Sequence, residues 1–280
     1  MIETSAAAES IRAMLQQQLD EMVAVEAGVR SGDDPEDLHR FRVAVRRCRS
    51  LLRASRRLLG GRLAGLDGEL RWLGDVSGPV RDHDVLIEHV RDLAGDLDDD
   101  SEGAEAIIAA LEAERERLRV ALVDAVSSAR YRNLIVHFRV DLLGLTLIDE
   151  DAGAVLGRIA EKEMARLRSA YEALGPSPPD EQLHAVRIKA KHARYAAELG
   201  ALELGRPLAR LAKAIKGLQD LIGVHQDAHV AEIRIRELAT GEMQVAAGRI
   251  VEAERTRRRK ARKRLAATWS RVDRAAAKVW

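Results

Sequence analysis

Apolar residues recur along this chain at intervals of three and four and almost nowhere alternate strictly with polar ones, the periodicity of α-helices laid on a core. Pattern and punctuation together predict helices over about 3–30, 35–59, 61–78, 81–97 and 102–129. A second set is predicted over about 150–174, 179–203, 206–223, 225–240 and 242–278. Gly32-Asp33-Asp34-Pro35 and Gly175-Pro176-Ser177-Pro178-Pro179 precede two of these helices, where Asp and Pro favour a helix start. Gly60-Gly61 and Gly205 close the same two. The stretch from Tyr131 to Glu150 joins the two sets, and its apolar run Leu142–Ile148 is expected to pack rather than to hang as a linker. The acidic segment GDLDDDSEG reads as a solvated turn.

Two of the predicted helices carry an unusual pair of stripes. In the helix from Pro35, Leu38, Phe41, Val45, Cys48 and Leu52 form an apolar stripe. One residue out of phase, His39, Arg42, Arg46, Arg49 and Arg53 form a cationic one that runs about 21 Å along the axis. The helix from Pro179 repeats the arrangement, with His184, Arg187, Lys191 and Arg194 beside Leu183, Val186, Ala190 and Ala193. The helix after it adds Arg206, Arg210, Lys213 and Lys216.

The repetition extends beyond these helices. Setting residue n against n+145 without a gap gives 15 identities in the 50 positions from 36 to 85, including His39/His184, Arg42/Arg187, Arg49/Arg194, Gly78/Gly223 and Asp82/Asp227. The chain is therefore expected to be one domain over 1–280, built from duplicated helical halves, about 1–140 and 146–280.

Composition narrows the class. With 280 residues, 46% apolar, 32% charged and only 3% aromatic, the chain is rich in Ala, Leu, Arg and Glu and is expected to be a soluble all-α protein. Its single cysteine, Cys48, excludes an intrachain disulfide. No apolar run is long enough to span a bilayer, and the amino-terminal segment has no basic and apolar leader, so a cytoplasmic protein without membrane contact is expected. The formal net charge of +1 hides strong segregation. Leu38–Leu66 holds nine arginines and no acid, Asp92–Glu105 seven acids and no base, and Arg255–Val272 nine bases and no acid.

Like charges crowded on one helix face destabilise it by a few tenths of a kcal/mol per pair, so a compensating partner is expected. A solvated basic face is the plainer explanation for one such helix. Two in register, each led by a histidine and free of acids, point instead to a linear polyanion, because arginine forks suit bidentate phosphate contacts and a row of them reads a repeated charge. Asp75, Asp82, Asp220 and Asp227 are expected to orient neighbouring cations. Catalysis is not indicated: there is no nucleophile elbow, no activated cysteine and no GxxxxGK[ST] loop. His225 and His229 stand at i and i+4, and His83-Asp84 forms an HD dipeptide, but no Cys/His ligand set completes either, so neither metal nor cofactor is expected. The run RTRRRKARKR leaves weak, non-specific nucleic-acid binding as the main rival reading, with a metal-dependent phosphohydrolase using His83-Asp84 as the second.

LHRFRVAVRRCRSLLR and LHAVRIKAKHARYAAEL, with RDHDV, HQDAHV and ARYRNL, resemble the CHAD family, the conserved histidine α-helical domain. The resemblance spans nearly the whole chain. It implies an all-α fold of two duplicated four-helix-bundle-like halves related by pseudo-twofold symmetry around a basic central surface or pore, binding of inorganic polyphosphate and association with polyphosphate granules. It places that binding on His39, Arg42, Arg46, Arg49, Arg53, His184, Arg187, Lys191 and Arg194, with Lys213 and Lys216 as additions. Two departures matter: no companion triphosphate-tunnel barrel is present, so binding without hydrolysis is expected, and position 192 is His where an Arg is common. Glutamates in place of Arg42, Arg46 and Arg49 together are expected to abolish binding with helicity intact. The protein partner, if there is one, is not encoded in any recognisable motif.

Overall fold

The computed structural model describes residues 6–56, 59, 63–95, 101–145 and 152–280. All regular structure among them is α-helical: α1 (Ala6–Ala24), α2 (Glu26–Ser31), α3 (Pro35–Ala54), α4 (Ala64–Ala94), α5 (Ser101–Ser127), α6 (Ala129–Leu143), α7 (Ala152–Glu172), α8 (Asp180–Leu204), α9 (Arg206–Leu238) and α10 (Met243–Ala276). None of these helices is long and apolar enough to cross a membrane.

Local chemistry sets the starts of the two striped helices. Asp34 caps α3 by accepting a hydrogen bond from the Glu36 amide at 2.8 Å, with Pro35 in the first turn, where its missing N–H costs nothing. Pro179, Asp180 and Glu181 play the corresponding part for α8, putting acids at the positive end of the helix dipole. Gly205, at φ 73°, ends α8 and turns the chain directly into α9, a left-handed conformation that a side chain would resist.

Two predicted breaks are absent. The segments 61–78 and 81–97 belong to one helix, α4, despite Gly78-Pro79, and 206–223 and 225–240 likewise form the single helix α9. The Pro79 ring lies on the exposed side, where water can satisfy the carbonyl its missing N–H would have bonded, while Ser77 and Val80 beside it are buried. Within the same turns, Ser77 donates to the Leu73 carbonyl at 2.7 Å and His83 Nδ1 lies 2.9 Å from the Pro79 carbonyl. The predicted join is mostly helix: α6 is capped by Ser128 and buries Tyr131, Leu134, Ile135, Phe138 and Leu142. Gly60, Gly61, the acidic turn from 96 to 100 and the end of the Leu142–Ile148 run lie outside the described residues.

The apolar side chains gather in three clusters. One joins α1–α4 with the ends of α5 and α6 and includes Phe41, Leu70, Leu73, Tyr131 and Phe138. A second joins α7, α8, α9 and the end of α10 through Leu167, Leu183, Leu211, Ile215 and Leu218. A third ties Ile87 and Val90 of α4 and Ile107 and Leu111 of α5 to Ile235 of α9 and Ile250 of α10. With their apolar stripes turned into the first two clusters, α3 and α8 meet each other along the cationic stripes.

Candidate functional site

Where α3 meets α8, the two cationic stripes share a cavity of about 280 Å³. Arg46, Arg49 and Arg53 line it from α3, Lys191, His192 and Tyr195 from α8, and Glu163 from α7. Arg46 Nε donates to the Tyr195 hydroxyl at 3.3 Å, a direct link between the two helices. Four of the residues expected on sequence grounds, Arg46, Arg49, Arg53 and Lys191, thus meet in one place.

The rungs of the ladders are not equivalent, because only some have carboxylate partners. Arg49 and Arg53 both hold Asp67 of α4, at 3.1 and 2.9 Å. Burial pushes the Asp67 carboxyl up, but hydrogen bonds from Arg53 and Arg49 outweigh it and hold the group below the usual carboxylate range. Arg42 reaches the Gly74 carbonyl at 3.4 Å and Asp82 at 3.7 Å, and Arg194 reaches Glu198 at 3.3 Å while stacking 4.3 Å over the Tyr195 ring. Among the described residues no carboxylate pairs with Arg46, Arg187 or Lys191, and Arg187 Nε is buried without a partner. Burial, followed by the charges of Arg187, Arg46, Arg194 and Arg49, brings Lys191 down to about 8. Cations thus outnumber carboxylates between the helices, where Glu163 is the cavity's own acid, and burying such excess charge is costly until an anion joins it.

Glycines seat two of the arginines. A Cβ at Gly78 of α4 would stand 2.8 Å from Arg42 Nη1, and one at Gly223 of α9 would stand 3.5 Å from Arg187 Nη2. The two pairs occupy matching positions of the 145-residue register. Burial, Arg81 and then Arg46 and Arg42 lower the His39 imidazole against the opposing pull of Glu36, and His39 does not line the cavity. His192 is lowered by burial and by Arg53, Lys189 and Lys191, with Glu163 opposing.

Seven of the eleven expected residues do not line the cavity. His39, Arg42, Arg187 and Arg194 belong to the stripes beside it, whereas His184, Lys213 and Lys216 are exposed, and Lys216 is held by Asp220 at 2.6 Å on its own helix. The reason is helical geometry: α9 packs its apolar face on α8, which turns its lysines to solvent. Conversely, Tyr195 and Glu163 line the cavity but were not among the expected residues. Tyr195 stands four residues after Lys191 and so shares its face, a spacing legible in the sequence. Glu163 reaches the site from α7, which no single-helix periodicity reports.

The remaining motifs have structural partners. His225 is 2% exposed and its Nε2 accepts a bond from Arg262 Nε at 2.9 Å, while His229 Nδ1 lies 3.2 Å from Asp180. His83 Nε2 meets Glu114 at 3.2 Å and Asp84 meets Arg115 at 2.5 Å. Among the described residues, no group of three or more His, Cys, Asp or Glu side chains is close enough together to hold a metal ion. In the basic run of α10, Arg255 pairs with Glu232 at 2.8 Å, Arg257 with Glu254 at 3.6 Å and Arg259 with Glu252 at 2.8 Å. Arg258 and Arg262 each reach Asp180 at 2.6 Å. Five of the bases on which the nucleic-acid reading rested are thereby paired with four carboxylates within the fold.

Comparison with known proteins agrees with the architecture. The chain is 28% identical over 301 aligned positions to the uncharacterized protein Rv2226 of Mycobacterium tuberculosis, covering 97% of this chain and 55% of that one. It thus spans about half the length of the curated relatives it matches. Among solved structures, the CHAD domain from the plant Ricinus communis superposes with a TM-score of 0.67 at 26% identity, covering 100% of this chain and 93% of that one. PptA from Streptomyces chartreusis superposes with a TM-score of 0.72 at 20% identity, covering 95% of this chain and 100% of that one, a likeness of fold. The sequence pattern of the CHAD domain matches residues 13–236, and the chain belongs to the CHAD family.

Proposed function

We propose that this chain is a binding module, not an enzyme, and that its ligand is inorganic polyphosphate held between α3 and α8. The observation that carries the reading is the cavity at which Arg46 and Lys191 meet without a carboxylate partner, flanked by Arg49, Arg53, Arg187 and Arg194. A chain of phosphates supplies the missing negative charge at several points at once, where a single phosphate would answer only one or two cations. In the cell such a module would lie in the cytoplasm and gather at polyphosphate granules.

The test is the affinity for long-chain polyphosphate across a salt series, with DNA and RNA as competitors. Selective binding that weakens steeply with salt is expected, since each neutralised phosphate releases counterions. Equal or tighter binding of either nucleic acid would overturn the choice of ligand.

A pH series gives a second prediction. A bound polyanion favours the charged lysine, so complex formation takes up a proton and affinity falls as pH rises through the Lys191 value of about 8. If binding restores an ordinary lysine pKa, affinity drops about tenfold between roughly pH 7 and pH 9, and Lys191→Arg removes the drop. Stability of the free protein has the opposite sign with respect to this group. From about 8 to the ordinary 10.5 the unfolded chain holds a proton that the folded one lacks, so stability rises with pH in that window. Calorimetric titration in buffers of differing ionisation enthalpy reads the proton uptake directly. A flat affinity profile in the unaltered protein would remove Lys191 from the contact.

A further inference from the structure

Lys191 is set apart from most other lysines of the chain by where it stands. Lys162, Lys213, Lys216, Lys260, Lys263 and Lys278 are exposed, whereas Lys191 is partly buried in the α3/α8 cavity. The charged groups around it come from each helix lining that cavity: Arg46, Arg49 and Arg53 from α3, Arg187, His192 and Arg194 from α8, and Glu163 from α7. Glu163 is engaged with Arg166 on its own helix. Among the described residues nothing accepts a hydrogen bond from the Lys191 amine. The cavity, at about 280 Å³, admits a small molecule beside the amine, and its walls offer three guanidinium groups to any phosphate that molecule carries.

We propose that Lys191 is an acylation site for small acyl phosphates, the cavity arginines holding the phosphate of the donor while the amine attacks its carbonyl carbon. In the step, the amine nitrogen forms a bond to the carbonyl carbon and the bond from that carbon to the phosphate oxygen breaks. The electron pair leaves with the phosphate, which also takes up the proton the nitrogen loses. An acyl phosphate brings its own leaving group, so no further reactant is needed. The reactive form is the free amine, and an ammonium brought to about 8 by burial and by four neighbouring arginines supplies far more of it near neutrality than an ordinary lysine. Arg46 and Arg49, which help to depress the ammonium, also line the cavity and attract the dianionic donor; the donor's charge draws the amine back toward its charged form, so the advantage rests on proximity.

The product amide is uncharged, and the cluster loses one of its unpartnered cations. The effect of that loss on polyphosphate binding rests on the function proposed above, whereas the acylation itself rests on the cavity alone.

The experiment treats the full chain with acetyl phosphate and follows each lysine by peptide mass spectrometry over time. Lys191 is expected to be acetylated about tenfold or more faster than Lys213, an advantage of the size that modest pre-orientation confers. The preference should shrink with acetic anhydride, which has no phosphate for the arginines to hold, with inorganic phosphate as competitor, and in Arg46→Gln. Equal rates at Lys191 and Lys213 would overturn the proposal, as would an equal preference with the anhydride. Long-chain polyphosphate separates the two readings. Protection of Lys191 supports both, while a strong preference without protection keeps the acylation site and removes polyphosphate from the cavity.

Discussion

Replacing Arg46 and Lys191 together by glutamine is expected to weaken polyphosphate binding at least a hundredfold while leaving the fold as stable as before, or more so. Charge-assisted hydrogen bonds contribute roughly 1.5–3 kcal/mol each, so two lost contacts amount to about 3–6 kcal/mol. The fold should tolerate the change because neither cation holds a carboxylate among the described residues, and Arg46 gives only a 3.3 Å bond to the Tyr195 hydroxyl. Removing two members of a like-charged cluster also relieves repulsion that already depresses Lys191. This pair is a better probe than glutamates at 42, 46 and 49. Arg49 holds Asp67 and Arg42 holds Asp82, so reversing them would set like charges face to face and confound folding with binding. Fluorescence anisotropy with labelled polyphosphate, circular dichroism and thermal melts measure the three quantities. Arg259→Gln, whose guanidinium pairs with Glu252 on exposed α10, serves as the comparison that should leave affinity unchanged. A folded double variant that binds within about threefold of the parent would refute the site, since that is less than 1 kcal/mol.

The largest effect on stability is expected from Phe41→Ala. Phe41 is fully buried on the apolar stripe of α3, 6.3 Å from the Tyr131 ring at a tilted angle. Truncating a buried phenylalanine costs about 3–5 kcal/mol, through lost transfer energy and the cavity left behind. In a chain of this length that lowers Tm by roughly 10 °C. The substitution removes no charge, yet it loosens the helix that carries Arg42, Arg46 and Arg49, so affinity should fall only near the new Tm and stay close to the parent well below it. Urea denaturation with an unchanged slope and a lower midpoint is the expected signature. A loss under about 1 kcal/mol would mean that the first cluster collapses around the gap.

The sequence carried the striped helices because both of their properties are local. Periodicity fixes which side chains share a face, and Asp34 or Pro179 fixes where the face begins. Residues from 36 to 54 therefore read correctly in both class and orientation. The unbroken course of α4 was hidden because Gly78-Pro79 is a local helix breaker, and what keeps the helix going is burial of Ser77 and Val80 on one side and exposure of the proline on the other. Position within the site was the least legible property. All rungs of a ladder look alike along one helix, and the differences among Arg46, Arg49 and Arg53 come from Asp67 and Tyr195, which approach from α4 and α8. Lys213 and Lys216 were expected in the site on charge and register, but the packing of α9 decides their direction. The partners of the α10 run were hidden for a related reason: the run contains no acid of its own, and although Glu252 and Glu254 stand just before it, Asp180 and Glu232 come from α8 and α9.

The glycine seats beneath Arg42 and Arg187 have an evolutionary corollary. A glycine inside a helix forfeits about 1 kcal/mol relative to alanine, so drift should steadily replace it unless something selects against the change. At position 78 even a methyl would stand 2.8 Å from Arg42 Nη1 and push it aside, whereas at 223 a methyl sits in ordinary contact 3.5 Å from Arg187 Nη2 and only a larger side chain would displace that arginine. Position 78 should then covary with 42, and 223 with 187, across related chains. Two glycines would then be inherited together with the two arginines they seat.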